Sequence, residues 1–126
     1  MQEQKKILIV EDEMYLRLPL AEQFKAEGFV VLEAKNGLEG LEKALAEHPD
    51  VIVLDVMMPK MSGTEMLEKL REDPWGKTAL ALILTNSVER DFVKDILGTS
   101  MPEYMVKSDW DIADIVKKVK SKLGIK

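Results

Sequence analysis

Three acidic residues in a row, Glu11-Asp12-Glu13, follow one short apolar run, and Asp55 follows another, Val51-Ile52-Val53-Leu54. A carboxylate at the end of an unbroken apolar run needs partners from elsewhere in the chain, because Asp is depleted in strands and is almost never buried unpaired. Two further apolar runs end in Thr85-Asn86 and in Lys107-Ser108. Where these run ends meet, several carboxylates, a hydroxyl and an ammonium share one place. Crowded carboxylates repel, which raises their pKa values or demands a cation. Oxygen ligands with no Cys or His nearby suit Mg²⁺, which keeps several waters and takes one or two protein carboxylates. A divalent ion beside Asp55, with the Lys107 ammonium opposite, would seat a trianionic phosphoryl group. Phosphoryl transfer asks for positioning and charge neutralisation more than for covalent help.

The elements that would bring these residues together are legible in the apolar pattern. Ile7–Val10, Phe29–Leu32, Val51–Leu54, Leu80–Leu84 and Tyr104–Val106 read as strands. Helical spacing separates them: Leu16, Leu20 and Phe24; Leu38, Leu41 and Leu45; Met66, Leu67 and Leu70; Val88, Phe92, Ile96 and Leu97; and Ile112, Ile115, Val116, Val119 and Leu123. The chain reads (βα)5, an α/β architecture. The first, third and fourth runs are continuously apolar, as central parallel strands are, whereas the second and fifth have the character of edges. Right-handed crossovers then put helices on both faces of the sheet. In such sheets ligands sit beyond the carboxyl ends of the strands, where the acidic residues, Thr85 and Lys107 fall. Gly28 and Gly98 close helices, Asn36-Gly37 turns into the second helix, and Pro59–Gly63 reads as a loop. Pro19 predicts a kink in the first helix. Ser108 or Asp109 is expected to cap the fifth, Ser108 having capping-box spacing with Asp111.

With 126 residues, 46% of them hydrophobic and 33% charged, the chain is expected to be one soluble domain, residues 1–126. No signal-peptide pattern opens the sequence and no apolar run approaches the roughly 20 residues that span a bilayer, so a cytoplasmic location without membrane contact is expected. The formal charge of −5 argues against nucleic acid as a partner. There is no cysteine, which excludes disulfides and thiolate metal sites. Lone His48 is a helix-end residue without a second ligand. The lysines at 117, 118, 120 and 122 read as a solvated face, and Gly76-Lys77-Thr78 lacks both the first glycine and the strand-to-helix context of a P-loop.

The segments ILIVEDE, VIVLDVMMPKMSG, LILTN and YMVKS, in this order and spacing, resemble the receiver domain of two-component response regulators, of the stand-alone chemotaxis-regulator type. The resemblance covers nearly the whole chain. It implies a flavodoxin-like, doubly wound, five-stranded parallel sheet of order 2-1-3-4-5. It further implies that Asp55 accepts a phosphoryl group from the phosphohistidine of a sensor histidine kinase or a histidine phosphotransfer protein. Asp12, Asp55 and the backbone carbonyl of Met57 would bind Mg²⁺, for which Mn²⁺ could substitute, and Glu11 would act through a water. Lys107 would pair with the phosphoryl oxygens, Thr85 would shift to hydrogen-bond them, and Tyr104 would rotate inward. That rearrangement would re-form a protein-interaction face made by the fourth helix, the fifth strand and the fifth helix. Such a module catalyses its own phosphorylation and dephosphorylation without turning over an external substrate, works as a monomer or weak homodimer, and signals to a downstream protein. Met57, Asn86 and Ser87 stand where the family tunes those rates.

The sequence departs from the family pattern at four places, one of them the unusual entry to the fifth strand, Gly98-Thr-Ser-Met-Pro-Glu103. Glu11 replaces an aspartate, Asn86 replaces a small residue, and Ser108 replaces a proline, so that a trans Lys107–Ser108 peptide is expected. Taken singly, each residue also has a plainer reading. Asp55 could cap a turn, Glu11-Asp12-Glu13 could charge a helix start, Thr85 and Lys107 could be a strand-end hydroxyl and a solvated charge, and Tyr104 could be packing. Alternatives remain at the level of function: an adaptor that needs no phosphorylation, a receiver cut from a longer regulator, or a haloacid-dehalogenase-like phosphatase. The phosphatase would need a second Asp where Met57 stands. A flavodoxin is disfavoured by the acidic loop, which would repel the flavin phosphate.

Overall fold

The computed structural model describes residues 4–55, 58, 60–85, 103–106 and 111–125, with 85 and 103–106 described as strand backbone. Its elements run β1 (Lys6–Val10), α1 (Met14–Ala26), β2 (Val30–Ala34), α2 (Gly37–Glu47), β3 (Val51–Asp55), α3 (Gly63–Leu70), a 3₁₀ turn (Gly76–Thr78), β4 (Ala81–Thr85), β5 (Glu103–Val106) and α4 (Ile112–Leu123). The helical pattern at Val88–Leu97 lies outside the described residues, as do Gly98 and the Lys107–Ser108 peptide; α4 is the helix expected from the last apolar pattern.

All strand pairs are parallel, and the sheet order is β2-β1-β3-β4-β5. Strand alternation divides the core into two layers. Leu8, Val10, Ile52, Leu54, Ala81 and Ile83 pack on α2 and α3 through Ala44, Met66, Leu67 and Leu70. Ile7, Ile9, Val51, Val53, Leu82 and Leu84 pack on α1 and α4 through Leu20, Phe24, Ile115 and Val119. Strands β1 and β3 are apolar from Ile7 to Val10 and from Val51 to Leu54 because both their faces are covered there. Each large side chain fully withdrawn from water contributes roughly 1.5–3 kcal/mol, so these strands anchor the ends that carry the acidic residues.

Several boundaries differ from the expected ones for identifiable reasons. Phe29 lies outside β2. Its N–H bonds the Phe24 carbonyl at 3.0 Å, and its ring meets Phe24 edge-on with centroids 5.2 Å apart. It therefore closes α1, together with Gly28 at φ +93°. Helix α1 runs through Pro19, which is exposed. Helix α2 does not bury Leu38 and Leu45, which are 44% and 38% exposed; it buries Gly37, Gly40 and Ala44. Its backbone lies so close to the sheet that a Cβ on Gly40 would sit 2.9 Å from both Met66 Sδ and Val10 Cγ2. Helix α4 is capped by Asp111, not by Ser108 or Asp109. The Asp111 and Asp114 carboxylates each accept the other residue's N–H at 3.0 Å, a reciprocal capping box. Gly63, expected in a loop, is the first residue of α3, whose cap is Ser62.

Candidate functional site

The register of the central strands explains how the acidic residues meet. Val10 pairs with Leu54, so the next residues in each chain, Glu11 and Asp55, stand side by side at the carboxyl edge of β1 and β3. Both continue the parity of Ile7, Ile9, Val51 and Val53, and so leave the sheet on the side of α1. Asp55 is paired in turn with Leu84, one residue before Thr85, and Thr85 pairs with Val106. The edge thus lines up Glu11, Asp55 and Thr85 along three neighbouring strands. Tyr104 pairs with Ile83, two residues inside that edge on β5. Met57, Asn86, Ser87 and Lys107, all expected at this site, lie outside the described residues.

Glu11 and Asp55 are almost completely buried, at 1% and 3% exposure, whereas Asp12 in the loop is half-buried. The three side chains each offer a carboxylate oxygen, and these oxygens lie within 4.8 Å of one another. Two of the carboxylates are fixed through their backbones. The Glu11 N–H extends the β1–β2 ladder to the Ala34 carbonyl at 2.9 Å, and one Glu11 carboxylate oxygen accepts the Glu13 N–H at 3.2 Å where α1 begins. Asp55 belongs to the β3 ladder itself.

Whether this arrangement suits a hard dication is answered by Asp12. Its Oδ1 is shut off from solvent without a hydrogen-bond partner among the described residues. An oxygen denied both water and a hydrogen-bond donor is one that a coordinated cation would satisfy. The donors are all carboxylate oxygens, the type Mg²⁺ prefers, and with one or two of them bound directly the third is left to act through a water.

Close backbone approaches hold the site from below. A Cβ on Gly63 would lie 2.0 Å from the Asp55 carbonyl oxygen, so only glycine lets α3 start against the end of β3. Ser62 caps that helix by accepting the Glu65 N–H at 3.2 Å, and its hydroxyl lies 3.0 Å from that of buried Thr64. Across the cleft, buried Asn36 accepts the Glu39 N–H at 2.8 Å to start α2, and the Gly37 N–H bonds the Met61 carbonyl at 3.0 Å. The loop after Asp55 is therefore clipped to the start of α2. Of these supports, the sequence marks Gly63 and Asn36 only as turn residues. Thr64, whose hydroxyl meets that of Ser62 two residues away, carries no such signal.

A family model for the response regulator receiver domain matches residues 7–120. The chain belongs to that family. It is 37% identical over 105 residues to the alkaline phosphatase synthesis transcriptional regulatory protein PhoP of Bacillus subtilis, covering 82% of this chain and 42% of PhoP. It is 32% identical over 121 residues to the sporulation initiation phosphotransferase F of the same organism, covering 96% of this chain and 95% of that one. The receiver domain thus spans less than half of one curated relative and nearly the whole of another. Among solved structures, the chemotaxis response regulator CheY4 of Vibrio cholerae superposes with a TM-score of 0.83 at 28% identity, over 94% of this chain and 98% of that one. The flavodoxin-like, CheY-like receiver fold expected from the motifs is the fold observed. Receiver domains bind Mg²⁺ at an acidic pocket, and here Glu11, Asp12 and Asp55 are grouped. Among the described residues no helix is long and apolar enough to cross a membrane.

Proposed function

We propose that residues 1–126 form a single receiver domain in which Asp55 is the phosphoacceptor. The observation that carries this reading is the convergence of Asp55 with Glu11 and Asp12, their ligand oxygens all within 4.8 Å, at the carboxyl edge of the sheet. In the proposed reaction an Asp55 carboxylate oxygen attacks the phosphorus of a phosphohistidine. The P–O bond forms as the P–N bond breaks, and the imidazole leaves with the bonding pair, producing an acyl phosphate. Burial on β3 holds the nucleophile at one place and keeps bulk water from competing, so the chain contributes orientation more than activation. Asp12, Asp55 and the Met57 carbonyl would hold Mg²⁺, with Glu11 acting through a water. The ion, or Mn²⁺ in its place, would supply neutralisation of the charge on the transferring group.

Thr85, at the end of β4, and Lys107, which follows β5, are proposed to bind the phosphoryl oxygens. Met57, Asn86 and Ser87 would set the rates of gain and loss. Tyr104 would couple occupancy to the face expected from the fourth helical pattern, Val88–Leu97, together with β5 and α4, and so to a downstream protein. The phosphodonor, a sensor histidine kinase or a histidine phosphotransfer protein, would approach over Met14 and Tyr15. These are 61% and 75% exposed on the first turn of α1, immediately beyond the acidic loop. Large apolar side chains left open beside a reactive edge suit a helix carrying the phosphohistidine.

The direct test is acid-quenched mass spectrometry after treatment with acetyl phosphate and MgCl₂. Modification is expected on Asp55, absent without magnesium and absent in Asp55→Asn. Modification elsewhere, or modification of Asp55→Asn at the wild-type level, would refute the assignment.

A further inference from the structure

Arg17 sits on α1, one turn inside its start, where the Arg17 N–H bonds the Glu13 carbonyl at 2.9 Å. Its side chain turns back past the beginning of the helix, the direction in which long helical side chains run. There Nη1 donates to the Glu11 carbonyl at 2.8 Å, while Nε donates to Glu33 Oε1 at 3.1 Å. Arg17 is well covered, at 13% side-chain exposure, and Glu33 is partly covered at 32%. Glu33 is itself held, since its backbone carbonyl accepts the Lys43 ammonium from α2. A chain of contacts therefore runs from α2 through the edge strand β2 to the peptide joining Glu11 and Asp12.

That peptide unit decides where both neighbouring carboxylates point. The peptide before it is fixed, since the Glu11 N–H bonds the Ala34 carbonyl. On its carbonyl side Arg17 makes the contact. No side chain caps α1 in the usual way, since Glu13 at the cap position makes no such hydrogen bond. Arg17 does the equivalent work from within the helix, tying the loop to the helix start.

We propose that Arg17 is a positioning residue for the cation site, holding the Glu11–Asp12 peptide so that both carboxylates face one ion. This inference rests on the reading of the acidic cluster as a magnesium site. It makes a prediction opposite in sign to simple electrostatics. A guanidinium beside the site repels a dication, so on charge alone its removal would tighten magnesium binding. If its role is positional, removal weakens binding.

The experiment is isothermal titration of MgCl₂ into the wild-type chain and into Arg17→Met, Arg17→Lys and Asp12→Asn, with melting temperatures recorded at zero magnesium. Arg17→Met keeps much of the aliphatic stem and borders an open depression of about 220 Å³ lined by Glu33, Lys35 and Glu39, so it should fold. Its dissociation constant is expected to rise roughly tenfold, the lower end of what removing a group that orients a metal ligand does. Arg17→Lys, which keeps the charge but lacks the fork that serves both acceptors, should recover only part of the affinity. A merely structural contribution would lower the melting temperature and leave the affinity of the folded protein unchanged. Wild-type or tighter binding by Arg17→Met overturns the proposal. Should that variant fail to fold, wild-type affinity in Arg17→Lys overturns it equally. Magnesium binding that is absent in the wild type, or indifferent to Asp12→Asn, overturns the cation reading itself. Binding that depends on Asp12 but not on Arg17 overturns the present inference alone.

Discussion

Gly63→Ala should damage both stability and the site, although alanine is the better helix former. In an exposed helix interior the exchange would gain up to about 1 kcal/mol, and less at the first helical position, where Gly63 stands. Against that gain, the new Cβ would meet the Asp55 carbonyl oxygen at 2.0 Å, the Asp55 carbonyl carbon at 3.0 Å and Leu54 Cδ1 at 3.2 Å. The leucine methyl can move aside, but the carbonyl belongs to a ladder strand and cannot. Relief therefore needs a displacement of about 1 Å or more between α3 and β3, and overpacking of this kind costs roughly 1–3 kcal/mol or more. Because the obstacle is backbone, the upper part of that range applies, and the net loss should be about 2 kcal/mol. For a chain of this length that corresponds to a fall in Tm of roughly 8 °C. Urea unfolding monitored by far-UV circular dichroism measures the first quantity, and magnesium titration measures the accompanying loss at Asp55. An alanine variant as stable as the wild type, with unchanged magnesium affinity, would refute the close approach as the reason for glycine here.

Other perturbations report on separate parts of the same edge. Asp55→Asn should raise the stability of the metal-free protein by roughly 1 kcal/mol, because it removes one of three mutually repelling carboxylates, and should abolish the stabilisation by magnesium. That stabilisation amounts to about 2.7 kcal/mol in the wild type at a hundredfold excess over Kd, and thermal melts with and without MgCl₂ show both effects. Asn36→Ala removes the α2 cap and leaves the Glu39 N–H without its side-chain acceptor, which should cost about 1 kcal/mol in chemical denaturation. The Glu27 carboxyl is held below its ordinary 4.5 by the hydrogen bond and charge of Lys120, which ties the end of α1 to α4. Stability from this pair is in place above pH 4.5 and is lost as pH falls through the lowered value. Glu27→Gln should therefore flatten that part of the acid unfolding profile, and a Glu27 carboxyl titrating by NMR at or above 4.5 would contradict the pairing.

The sequence disclosed this fold where one physical signal dominated. Unbroken apolar runs at Ile7–Val10 and Val51–Leu54 read as central parallel strands, and the carboxylates that follow them fall at the ligand-binding edge as a consequence of parallel topology. Legibility failed where a competing interaction reassigned a residue. Phe29 is as apolar as a strand residue, yet its contact with Phe24 draws it into the helix closure. Leu38 and Leu45 of α2 follow helical spacing but yield the sheet to glycines and alanine, because the helix sits too near there for larger side chains. Ser108 fitted the familiar Ser/Thr capping pattern better than Asp111 did, although the reciprocal Asp111–Asp114 pair starts the helix. At the site, the acidic residues were evident from type and position alone. Arg17, Glu33 and the clip from Gly37 to Met61 were not, because each contact joins elements whose proximity exists only after folding.

The way the three carboxylates are held bears on what the site has to do. Glu11 and Asp55 are buried and fixed by strand ladders that continue through the most thoroughly covered part of the core. Asp12 is half-exposed in a three-residue loop. A site assembled wholly from mobile loops would have to order itself around each incoming ion and phosphoryl group, losing conformational entropy every time. Here most of that ordering accompanies folding and is sustained by burial of β1 and β3, so only Asp12 and its peptide remain to be aligned. A transfer reaction that depends on charge placed in advance gains most from such an arrangement. It follows that substitutions weakening the β1–β3 core, such as Ile52→Ala, should lower phosphorylation of the folded protein little while lowering Tm strongly. Changes at Arg17 should do the reverse, and comparing the two by acetyl phosphate labelling and thermal melting separates the stability of the scaffold from the alignment of its one adjustable ligand.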